Sequence, residues 1–346
     1  MESTNIKFAL VGCGSIGRRH MAVLDAEPAV EVVAICDQRA EKVQALADLY
    51  GNVKVYSNYE KMLEEIDADI ISIATPHALH APMAIQAANH KFNVLVEKPM
   101  ALKVQDCMAM NEAAYKNEVK LWVVKQNRYN VPVKLTKEAI DQGRLGKIFM
   151  IKCDILWNRY QGYYDDSPWR GIIDEEGGAL YTQASHFIDL LIWWCGDVVD
   201  VQGKMETQNH SIETEDSGIA TLKFSSGALG SLVWTTCVYN KNYEGSITII
   251  GEKGTIKIGG KYLNKIEFWD VEGFPLQEGI EYTDKPNAYG KYQGTSSNHD
   301  KVVKAIIGQI RKERKDTVDG FEGMKSIAAI EMIYDKLRTH ESASVI

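Results

Sequence analysis

Short hydrophobic runs alternate with amphipathic stretches in the first third of the chain. The runs predict strands at Lys7–Val11, Val30–Cys36, Ile70–Ile73, Asn93–Val96 and Leu121–Val124. Continuous β-branched runs of this length are typical of parallel strands that are buried on both faces. The stretches between them predict helices at Ile16–Ala26, Arg39–Leu49, Pro82–Asn89 and Lys103–Lys116. Repeated βαβ units of this kind indicate a doubly wound α/β domain over residues 1–124.

The pattern changes after Val131. The predicted elements are then a helix near Val133–Gln142, a strand near Lys147–Ile155, an aromatic loop over Leu156–Glu176 and a long helix from Ala179 to Cys195. From Val198 to Asp270, successive strands separated by turn glycines predict a mostly antiparallel open sheet. A loop around Pro286–Ser297 and two helices, near Asn298–Gly308 and Gly323–Thr339, follow. We expect residues 125–346 to form an α+β domain for substrate binding and oligomerisation, with a C-terminal helix able to pack back on the first domain.

Length and composition limit the class of protein. A chain of 346 residues is long enough for two domains, and 45% hydrophobic and 25% charged residues are ordinary globular usage. The formal net charge of -8 opposes binding to nucleic acid or anionic lipid. No apolar run reaches the ~20 residues of a membrane span, and the polar start Met1–Lys7 is unlike a secretory signal. The six cysteines form no C-x-x-C pair. We therefore expect a cytoplasmic protein with no metal site, no nucleic-acid partner and no membrane partner.

A glycine-rich turn follows the first predicted strand. Residues Gly12-Cys13-Gly14-Ser15-Ile16-Gly17 match G-x-G-x-x-G between a strand and a helix, the context in which this pattern binds dinucleotides. Gly12 allows a tight turn, Gly14 lets backbone N–H groups approach a pyrophosphate, and Gly17 allows close helix–strand packing. The N-terminus of the following helix favours an anion. The first domain is therefore predicted to be a Rossmann domain that holds a dinucleotide at this turn, with Ser15 and Ile16 included.

The choice between NAD and NADP depends on the end of the second strand. Asp37 lies twenty residues past Gly17, where a carboxylate accepts hydrogen bonds from ribose hydroxyls and repels a 2′-phosphate. Arg39, two residues further on, is a side chain able to contact that phosphate. The carboxylate favours NAD, so NAD is the expected cofactor.

Further segments resemble the Gfo/Idh/MocA oxidoreductase family over nearly the whole chain. Besides the glycine turn, they are Ala74-Thr75-Pro76 followed by Leu79-His80, Glu97-Lys98-Pro99, and Gly177-Gly178 leading to His186 and Asp189. The resemblance implies an NAD-dependent oxidoreductase in which Lys98 lies beside the nicotinamide and the substrate hydroxyl. It also makes His186 the histidine that follows the double glycine. Further cofactor contacts are expected from Arg39, Thr75, Pro76, His80, Glu97, Lys98 and Gln126.

Oxidation of an alcohol requires a group that takes the hydroxyl proton as the hydride leaves for the nicotinamide. A lysine near the positive cofactor has its pKa lowered toward neutrality, and a histidine titrates there unperturbed. Asp189, about one helical turn past His186, is close enough to orient it. The family commonly has an aspartate four residues before the histidine, where this chain has Thr182. Proton transfer is assigned to Lys98, with His186 as partner or alternate.

Within the family, four segments resemble the UDP-N-acetyl-glucosaminuronate 3-dehydrogenases of bacterial surface-polysaccharide synthesis. They are Val123–Arg128, Trp169–Gly171, Gln183–His186 and Glu244–Ile249. The resemblance implies oxidation of the C3 hydroxyl of UDP-N-acetyl-glucosaminuronate (UDP-GlcNAcA) to a 3-keto sugar. The expected substrate-binding residues are Lys98, Asn127, Arg128, Tyr164, Trp169, Arg170, Gln183 and His186. Arginines suit phosphate and carboxylate groups, and aromatic rings cover a sugar or uracil face.

Two other functions are compatible with the same fold. One is NAD-dependent dehydrogenation of a free sugar or polyol such as inositol, which the basic and aromatic loop disfavours. The other is a non-catalytic NAD-binding regulator, which the retained Lys98 and His186 disfavour. The family resemblance also implies a homodimer or homotetramer that forms through the sheet of the second domain.

Overall fold

The computed structural model describes residues 5–51, 53–282, 286–288 and 293–341. The chain divides into two compact units, each made of two stretches of sequence. The first unit comprises Met1–Val124 and His299–Met324, and the second comprises Lys125–Asn298 and Lys325–Ile346. None of the helices in the described ranges is long and apolar enough to cross a membrane.

A six-stranded parallel sheet forms the centre of the first unit. Its strands are β1 (Ile6–Val11), β2 (Val30–Cys36), β3 (Lys54–Tyr56), β4 (Ile70–Ile73), β5 (Asn93–Val96) and β6 (Leu121–Val123). They lie in the order β3-β2-β1-β4-β5-β6, so the strand order reverses between β1 and β4. In doubly wound sheets, ligands bind at the carboxyl ends of the strands beside this switch point. The predicted Rossmann architecture is confirmed.

Five helices connect these strands. They are α1 (Ser15–Asp25), α2 (Ala40–Tyr50), α3 (Tyr59–Glu65), α4 (His80–Asn89) and α5 (Val104–Lys116). The sequence pattern missed β3 and α3. Strand β3 has three residues, of which Lys54 and Val55 are exposed, so it contains no hydrophobic run. Helix α3 has seven residues, too few to establish a helical period.

A seven-stranded sheet forms the core of the second unit. Its strands are β7 (Ile148–Leu156), β8 (Val198–Glu206), β9 (Ser217–Phe224), β10 (Leu229–Thr235), β11 (Glu244–Gly251), β12 (Gly254–Gly259) and β13 (Lys265–Val271). They lie in the order β13-β12-β11-β7-β10-β9-β8, and all pairs are antiparallel except β7 with β10. The predicted mostly antiparallel sheet is confirmed.

One face of this sheet is buried, since buried and exposed residues alternate along β9 and β10. Of the helices α6 (Val131–Asp141), α7 (Gln161–Asp165) and α8 (Ser185–Cys195) in the second unit, α6 contacts β12 and α8 contacts β7. Helix α8 packs against β7 and is buried along almost its whole length, which explains its near-continuous hydrophobic sequence. The long helix predicted from Ala179 is interrupted, because a π-helical turn at Leu180–Ala184 precedes α8. Such turns are frequent at functional sites.

The other face of the seven-stranded sheet carries exposed apolar side chains. Met150, Leu229 and Ile250 are each at least 40% exposed. They are register partners on three adjacent strands, since Met150 pairs with both Leu229 and Ile250. A monomeric surface seldom presents such a row. Two short strands, β14 (Pro286–Ala288) and β15 (Gln293–Ser296), pair antiparallel within the segment predicted as a loop.

The segment 299–324, which the sequence analysis assigns to the second domain, groups with the first unit. It contains helix α9 (His299–Ile310) and the start of α10 (Gly320–Glu341), which continues into the second unit. The carbonyl of Val318 accepts the N–H of Val123 at 2.9 Å, and Trp122 Nε1 donates to Gln309 Oε1 at 2.6 Å. The segment therefore covers the edge strand β6, which would otherwise present unpaired backbone groups.

Candidate active site

The glycine turn of the first unit joins β1 to α1. Gly12 has φ +94°, and a Cβ there would lie 2.4 Å from the carbonyl oxygen of Ala74. A Cβ on Gly17 would lie 1.7 Å from the carbonyl oxygen of Gly12. Only glycine permits this packing. A Cβ on Gly14 would meet nothing within 4 Å, so open space faces the backbone where Ser15 begins α1.

Asp37 follows β2 and is bonded to the same turn. Its Oδ2 accepts the N–H of Cys13 at 2.9 Å, and its Oδ1 accepts the N–H of Arg39 at 3.0 Å and the Nε of Arg39 at 3.2 Å. Burial raises the pKa of Asp37, but the hydrogen bonds from Arg39 and Cys13 outweigh it and lower that pKa. The carboxylate is therefore ionised. The Arg39 guanidinium is paired with it.

Thr75 and Pro76 follow β4, whose carboxyl end lies beside that of β1. The Thr75 hydroxyl is buried and makes no hydrogen bond to any residue that the structure describes. Such a group is costly unless a ligand or water uses it. The His80 ring lies between backbone carbonyls, with Nδ1 2.7 Å from Pro99 O and Nε2 3.0 Å from Thr75 O. Ile16 packs against the hydrophobic core next to the turn.

These residues fit a dinucleotide. The open space at Gly14 and the N-terminus of α1 suit a pyrophosphate, since both present backbone N–H groups to an anion. The ionised Asp37 suits ribose hydroxyls, which are hydrogen-bond donors. The buried Thr75 hydroxyl supplies a further polar group at the same edge of the sheet.

Lys98 follows β5, one strand further along the sheet from β4. Its side chain is half-buried, and its peptide N–H donates to Glu97 Oε2 at 3.0 Å. The Glu97 carboxylate is 3% exposed and also accepts hydrogen bonds from His20 and His299. Both oxygens of Glu97, a predicted cofactor residue, are thus engaged inside the unit. Sequence reasoning did not single out His299, which is 202 residues away from Glu97.

In the second unit, a buried carboxylate holds two cations, one of which, Arg128, is a predicted substrate residue. Asp189 accepts Arg128 Nε at 2.8 Å and an Arg128 terminal nitrogen at 2.9 Å. Lys125 Nζ lies 3.3 Å from Asp189 and donates to Ser326 Oγ at 2.7 Å. Burial raises the pKa of Asp189, but the charges of Arg128 and Lys125 outweigh it and lower that pKa to about 2. Arg128 is therefore committed to a bidentate ion pair inside the unit.

Among the buried polar groups of the second unit without a partner in the described residues are the side-chain amide of Asn127, through both its oxygen and its nitrogen, and the hydroxyl of Ser185. Asn127 is in the turn Gln126–Tyr129, and Ser185 starts α8 next to His186, which is 1% exposed. A buried polar group left in this state costs about 1–3 kcal/mol. Both therefore suit contact with a polar ligand or water.

Arginines and aromatic rings pack together around the predicted substrate loop. Arg159 donates to Gln183 Oε1 at 2.6 Å, and Gln183 Nε2 donates to Tyr163 Oη at 3.2 Å. The Arg170 guanidinium lies 4.0 Å from the ring centre of Tyr163 and 5.6 Å from that of Trp169. Gln183, Trp169 and Arg170 are thus brought into one cluster.

Tyr164, a predicted substrate residue, is 6% exposed. Its hydroxyl lies 3.1 Å from Thr236 Oγ1, and burial raises its pKa. Its ring packs edge-on against Tyr163 at 5.0 Å. The structure therefore places Tyr164 within the core next to the cluster.

Glu176 was not singled out by sequence reasoning, although it is central to this region. It is 2% exposed; its Oε2 accepts the N–H of Gly171 at 2.6 Å and its Oε1 accepts the hydroxyl of Thr182 at 2.9 Å. Burial raises its pKa. A buried carboxyl group therefore lies beside Thr182, the position at which an aspartate is common in the resembling family.

A second unanticipated carboxyl group, Glu215, supports the double-glycine turn. It accepts the Tyr334 hydroxyl at 2.7 Å and the N–H of Ala179 at 3.1 Å. A Cβ on Gly178 would lie 2.3 Å from the Tyr334 hydroxyl, so this position requires glycine. Burial raises the pKa of Glu215 to about 7. These contacts fix the start of the π-helical turn that leads to His186.

Two models of one oxidoreductase family match the chain. The NAD-binding Rossmann fold of the Gfo/Idh/MocA family matches residues 6–125, and its C-terminal alpha/beta domain matches residues 137–345. The chain therefore belongs to the Gfo/Idh/MocA oxidoreductase family. It is an NAD-dependent oxidoreductase.

Two solved structures are similar over nearly the full length. The WlbA dehydrogenase from Bordetella pertussis, in complex with NADH and UDP-GlcNAcA, is 37% identical, with 97% of each chain covered and a TM-score of 0.87. The WlbA dehydrogenase from Chromobacterium violaceum, also in complex with NADH and UDP-GlcNAcA, is 37% identical, with 98% of this chain and 96% of that chain covered and a TM-score of 0.90.

A relative with another substrate is inositol 2-dehydrogenase from Salmonella typhimurium. It is 28% identical over 259 residues, which are 73% of this chain and 74% of that protein. The alignment covers 62% of one curated relative, from Comamonas testosteroni, and 96% of another, D-apiose dehydrogenase from Rhizobium rhizogenes. The WlbA dehydrogenases and inositol 2-dehydrogenase are all dehydrogenases and differ in the substrate named for them. Another relative, 26% identical, is 2,7-anhydro-N-acetylneuraminate hydratase from Mediterraneibacter gnavus.

Proposed function

We propose that the protein oxidises the C3 hydroxyl of UDP-GlcNAcA to a 3-keto sugar, as a step in the synthesis of surface-polysaccharide sugars. The observation that carries the proposal is the 37% identity, over nearly the full length, to two WlbA dehydrogenases crystallised with NADH and UDP-GlcNAcA. The residue chemistry of the second unit supports it independently.

A nucleotide sugar carries anionic groups that suit guanidinium partners and flat faces that suit aromatic rings. Arg170 and Trp169 supply both in one cluster. The Asn127 amide and the Ser185 hydroxyl supply polar groups that no described side chain or backbone group satisfies. We assign these four residues and Gln183 to substrate binding.

The glycine turn Gly12–Gly17, Asp37 and Thr75 would hold NAD, which when bound would supply the acceptor for the hydride from C3. As the C3–H bond breaks, the hydroxyl proton passes to the Lys98 amine and a carbonyl group forms, so atoms and charge balance. His186 is the partner or alternate for that proton. Arg128 already donates two hydrogen bonds to Asp189. Its effect on the substrate is therefore indirect, through the buried ion pair that it forms.

The second candidate is a dehydrogenase of a free polyol, favoured by the similarity to inositol 2-dehydrogenase. NADH formation across a panel of UDP-GlcNAcA, UDP-N-acetylglucosamine, myo-inositol and glucose separates the two functions. We expect turnover and saturable micromolar binding with UDP-GlcNAcA alone. Turnover of myo-inositol without UDP-sugar binding would establish the polyol dehydrogenase.

Arg170→Ala tests the substrate assignment. Loss of a charge-assisted contact should weaken UDP-GlcNAcA binding by roughly 1.5–3 kcal/mol and leave NAD affinity unchanged, as measured by calorimetry. Arg144→Ala, which removes an exposed arginine from the same unit, is the matched control and should change neither affinity. Equal loss of sugar binding in both variants would contradict the assignment.

We further propose that two copies associate through the exposed face that contains Met150, Leu229 and Ile250. The apolar row suits a self-complementary contact between identical sheets. Light scattering should give the mass of a dimer or tetramer, and Met150→Lys should shift it toward the monomer. A monomeric wild type would contradict this proposal.

A further inference from the structure

A buried cluster of one carboxylate and two histidines adjoins Lys98 in the first unit. Glu97 Oε1 accepts His20 Nε2 at 2.7 Å and His299 Nε2 at 3.1 Å, and Glu97 Oε2 accepts the Lys98 N–H at 3.0 Å. The three side chains are each no more than 3% exposed. His20 is on α1, Glu97 follows β5, and His299 starts α9. Through these hydrogen bonds, Glu97 connects α1 and α9 to the end of β5 and to the Lys98 backbone.

The protonation of this cluster follows from its contacts. Burial raises the pKa of Glu97, but the hydrogen bonds from His20 and His299 outweigh it and hold that pKa well below its ordinary value. An ionised carboxylate only accepts hydrogen bonds, so both histidines carry a proton on Nε2. His20 Nδ1 lies 2.8 Å from the Ser72 hydroxyl, which fixes the orientation of that ring.

A third histidine holds the other side of Lys98. His80 is fully buried, and its two ring nitrogens contact the carbonyl oxygens of Pro99 and Thr75. Pro99 is the residue after Lys98, and Thr75 is at the adjacent strand end. The residues on both sides of Lys98 are therefore fixed by side chains from the interior, whereas the Lys98 side chain itself is only half-buried.

We propose that His20, His80 and His299 are positioning residues that hold the Glu97-Lys98-Pro99 turn and thereby fix the Lys98 amine for proton transfer. The proposal rests on the proton-transfer role proposed above for Lys98. Lysine has a long flexible side chain, so the position of its amine depends on how firmly the backbone that carries it is held. A displacement of ~1 Å at a reacting group costs up to roughly 10²-fold in rate. Because His20 is on α1, the cluster links Lys98 to the helix that follows the dinucleotide turn.

Glu97, His20 and His299 also form a set that a metal ion can use. Their ligand atoms lie within 4.8 Å of one another, and two histidines with one carboxylate is a known metal-binding combination. The contacts at 2.7 and 3.1 Å have hydrogen-bond lengths, as expected for a proton between each pair. If the cluster only positions Lys98, a chelator should not change activity. If it binds a metal ion, a chelator should lower activity.

The test compares His299→Leu with His299→Gln, because leucine removes the donor and glutamine retains an N–H. With NAD and UDP-GlcNAcA, His299→Leu should lower kcat roughly 10-fold or more with the KM for NAD within about 2-fold of wild type. His299→Gln should recover most of kcat. His90→Leu, which removes an exposed histidine of the same unit, should leave kcat unchanged. Wild-type kcat should be unaffected by EDTA.

Glu97→Gln keeps the volume of the side chain and provides a second, milder variant. Removing the buried negative charge disfavours the Lys98 ammonium, so the limb of the kcat/KM pH profile that requires the neutral amine should move to lower pH by about 0.5 units or more. Loss of structure alone would not move that limb. If His299→Leu fails to fold, this profile decides the question.

Each contrary result has a distinct meaning. Unchanged kcat in His299→Leu together with an unchanged profile in Glu97→Gln overturns the positioning role, provided that Lys98→Met is inactive. Near-normal turnover in Lys98→Met instead overturns the proposed role of Lys98 itself. Loss of wild-type activity in EDTA, restored by Zn²⁺, would identify the cluster as a metal centre and also overturn the proposal.

Discussion

The glycine turn of the first unit, Gly12–Gly17, and the Asp189 cluster of the second, formed by Asp189, Arg128 and Lys125, both belong to the predicted site region. Different interactions determine the geometry of the two. At Gly12 and Gly17 the geometry depends on the absence of side chains, since a Cβ would overlap a neighbouring carbonyl oxygen. At Asp189 it depends on charges, since one carboxylate is shared by Arg128 and Lys125. The glycine turn therefore leaves room for a ligand. In the Asp189 cluster, by contrast, the charges are already paired with one another.

Because of this difference, substitutions at the two places should affect different properties, ligand binding at the open glycine position and stability at the Asp189 cluster. A substitution at an open position such as Gly14 acts mainly on the ligand, because nothing lies within 4 Å of its Cβ direction. A substitution in the Asp189 cluster acts first on the fold, because breaking a buried ion pair leaves uncompensated charge. Activity measurements on that cluster therefore need a measurement of stability beside them.

The largest effect is expected for Asp189→Asn. It leaves the buried Arg128 and Lys125 without their counter-charge and should lower the free energy of unfolding by about 3–5 kcal/mol, measured with urea. The pKa of Asp189 is lowered to about 2. Its contribution is thus present above the unfolded-state pKa of ~3.9 and is lost as pH falls toward 2. Asp189→Asn should flatten the pH dependence of stability in that window.

An exposed pair provides the control for this experiment. Lys137 and Asp141 form an i,i+4 ion pair on α6, and Asp141 is largely exposed. Asp141→Asn should change the free energy of unfolding by less than about 0.5 kcal/mol. Similar losses in the two variants would show that the buried Asp189 cluster contributes no more to stability than an ordinary surface ion pair.

The next largest effect is expected at Lys98. Lys98→Met retains much of the apolar stem but removes the amine, and turnover should fall roughly 10²-fold or more with NAD binding largely retained. Single-turnover formation of NADH and calorimetric titration of NAD measure the two quantities. Near-normal turnover would transfer the role of base to His186.

The smallest effect concerns cofactor choice at Asp37. NAD should bind about 10-fold more tightly than NADP, a difference of ~1.4 kcal/mol, because the ionised carboxylate repels a 2′-phosphate. Asp37→Ala should narrow that ratio, since Arg39 then loses its partner and becomes available to the phosphate. Equal affinities in the wild type, measured by calorimetry, would remove this role from Asp37.

The sequence predicted the elements whose signals are local. Strands such as β1 and β2 and the glycine turn were predictable because the hydrophobic run and the glycine spacing lie within a few residues. His299 and Glu215 were missed because their contacts, to Glu97 and Tyr334, span 202 and 119 residues. Glu176 was missed for another reason, since a glutamate in a loop is usually exposed and only the fold shows its burial.

The division of the first unit into two stretches has a consequence for protein synthesis. Strands β1 to β6 leave the ribosome before the segment that covers β6, residues 299–324, which follows 174 residues later. At about 5–20 residues per second, translation of that interval lasts roughly 9–35 s. During this time the nascent first unit has an open sheet edge, an uncovered Trp122 and no His299 beside Glu97. The NAD-binding unit is thus begun before residues 125–298 are synthesised and completed only after them.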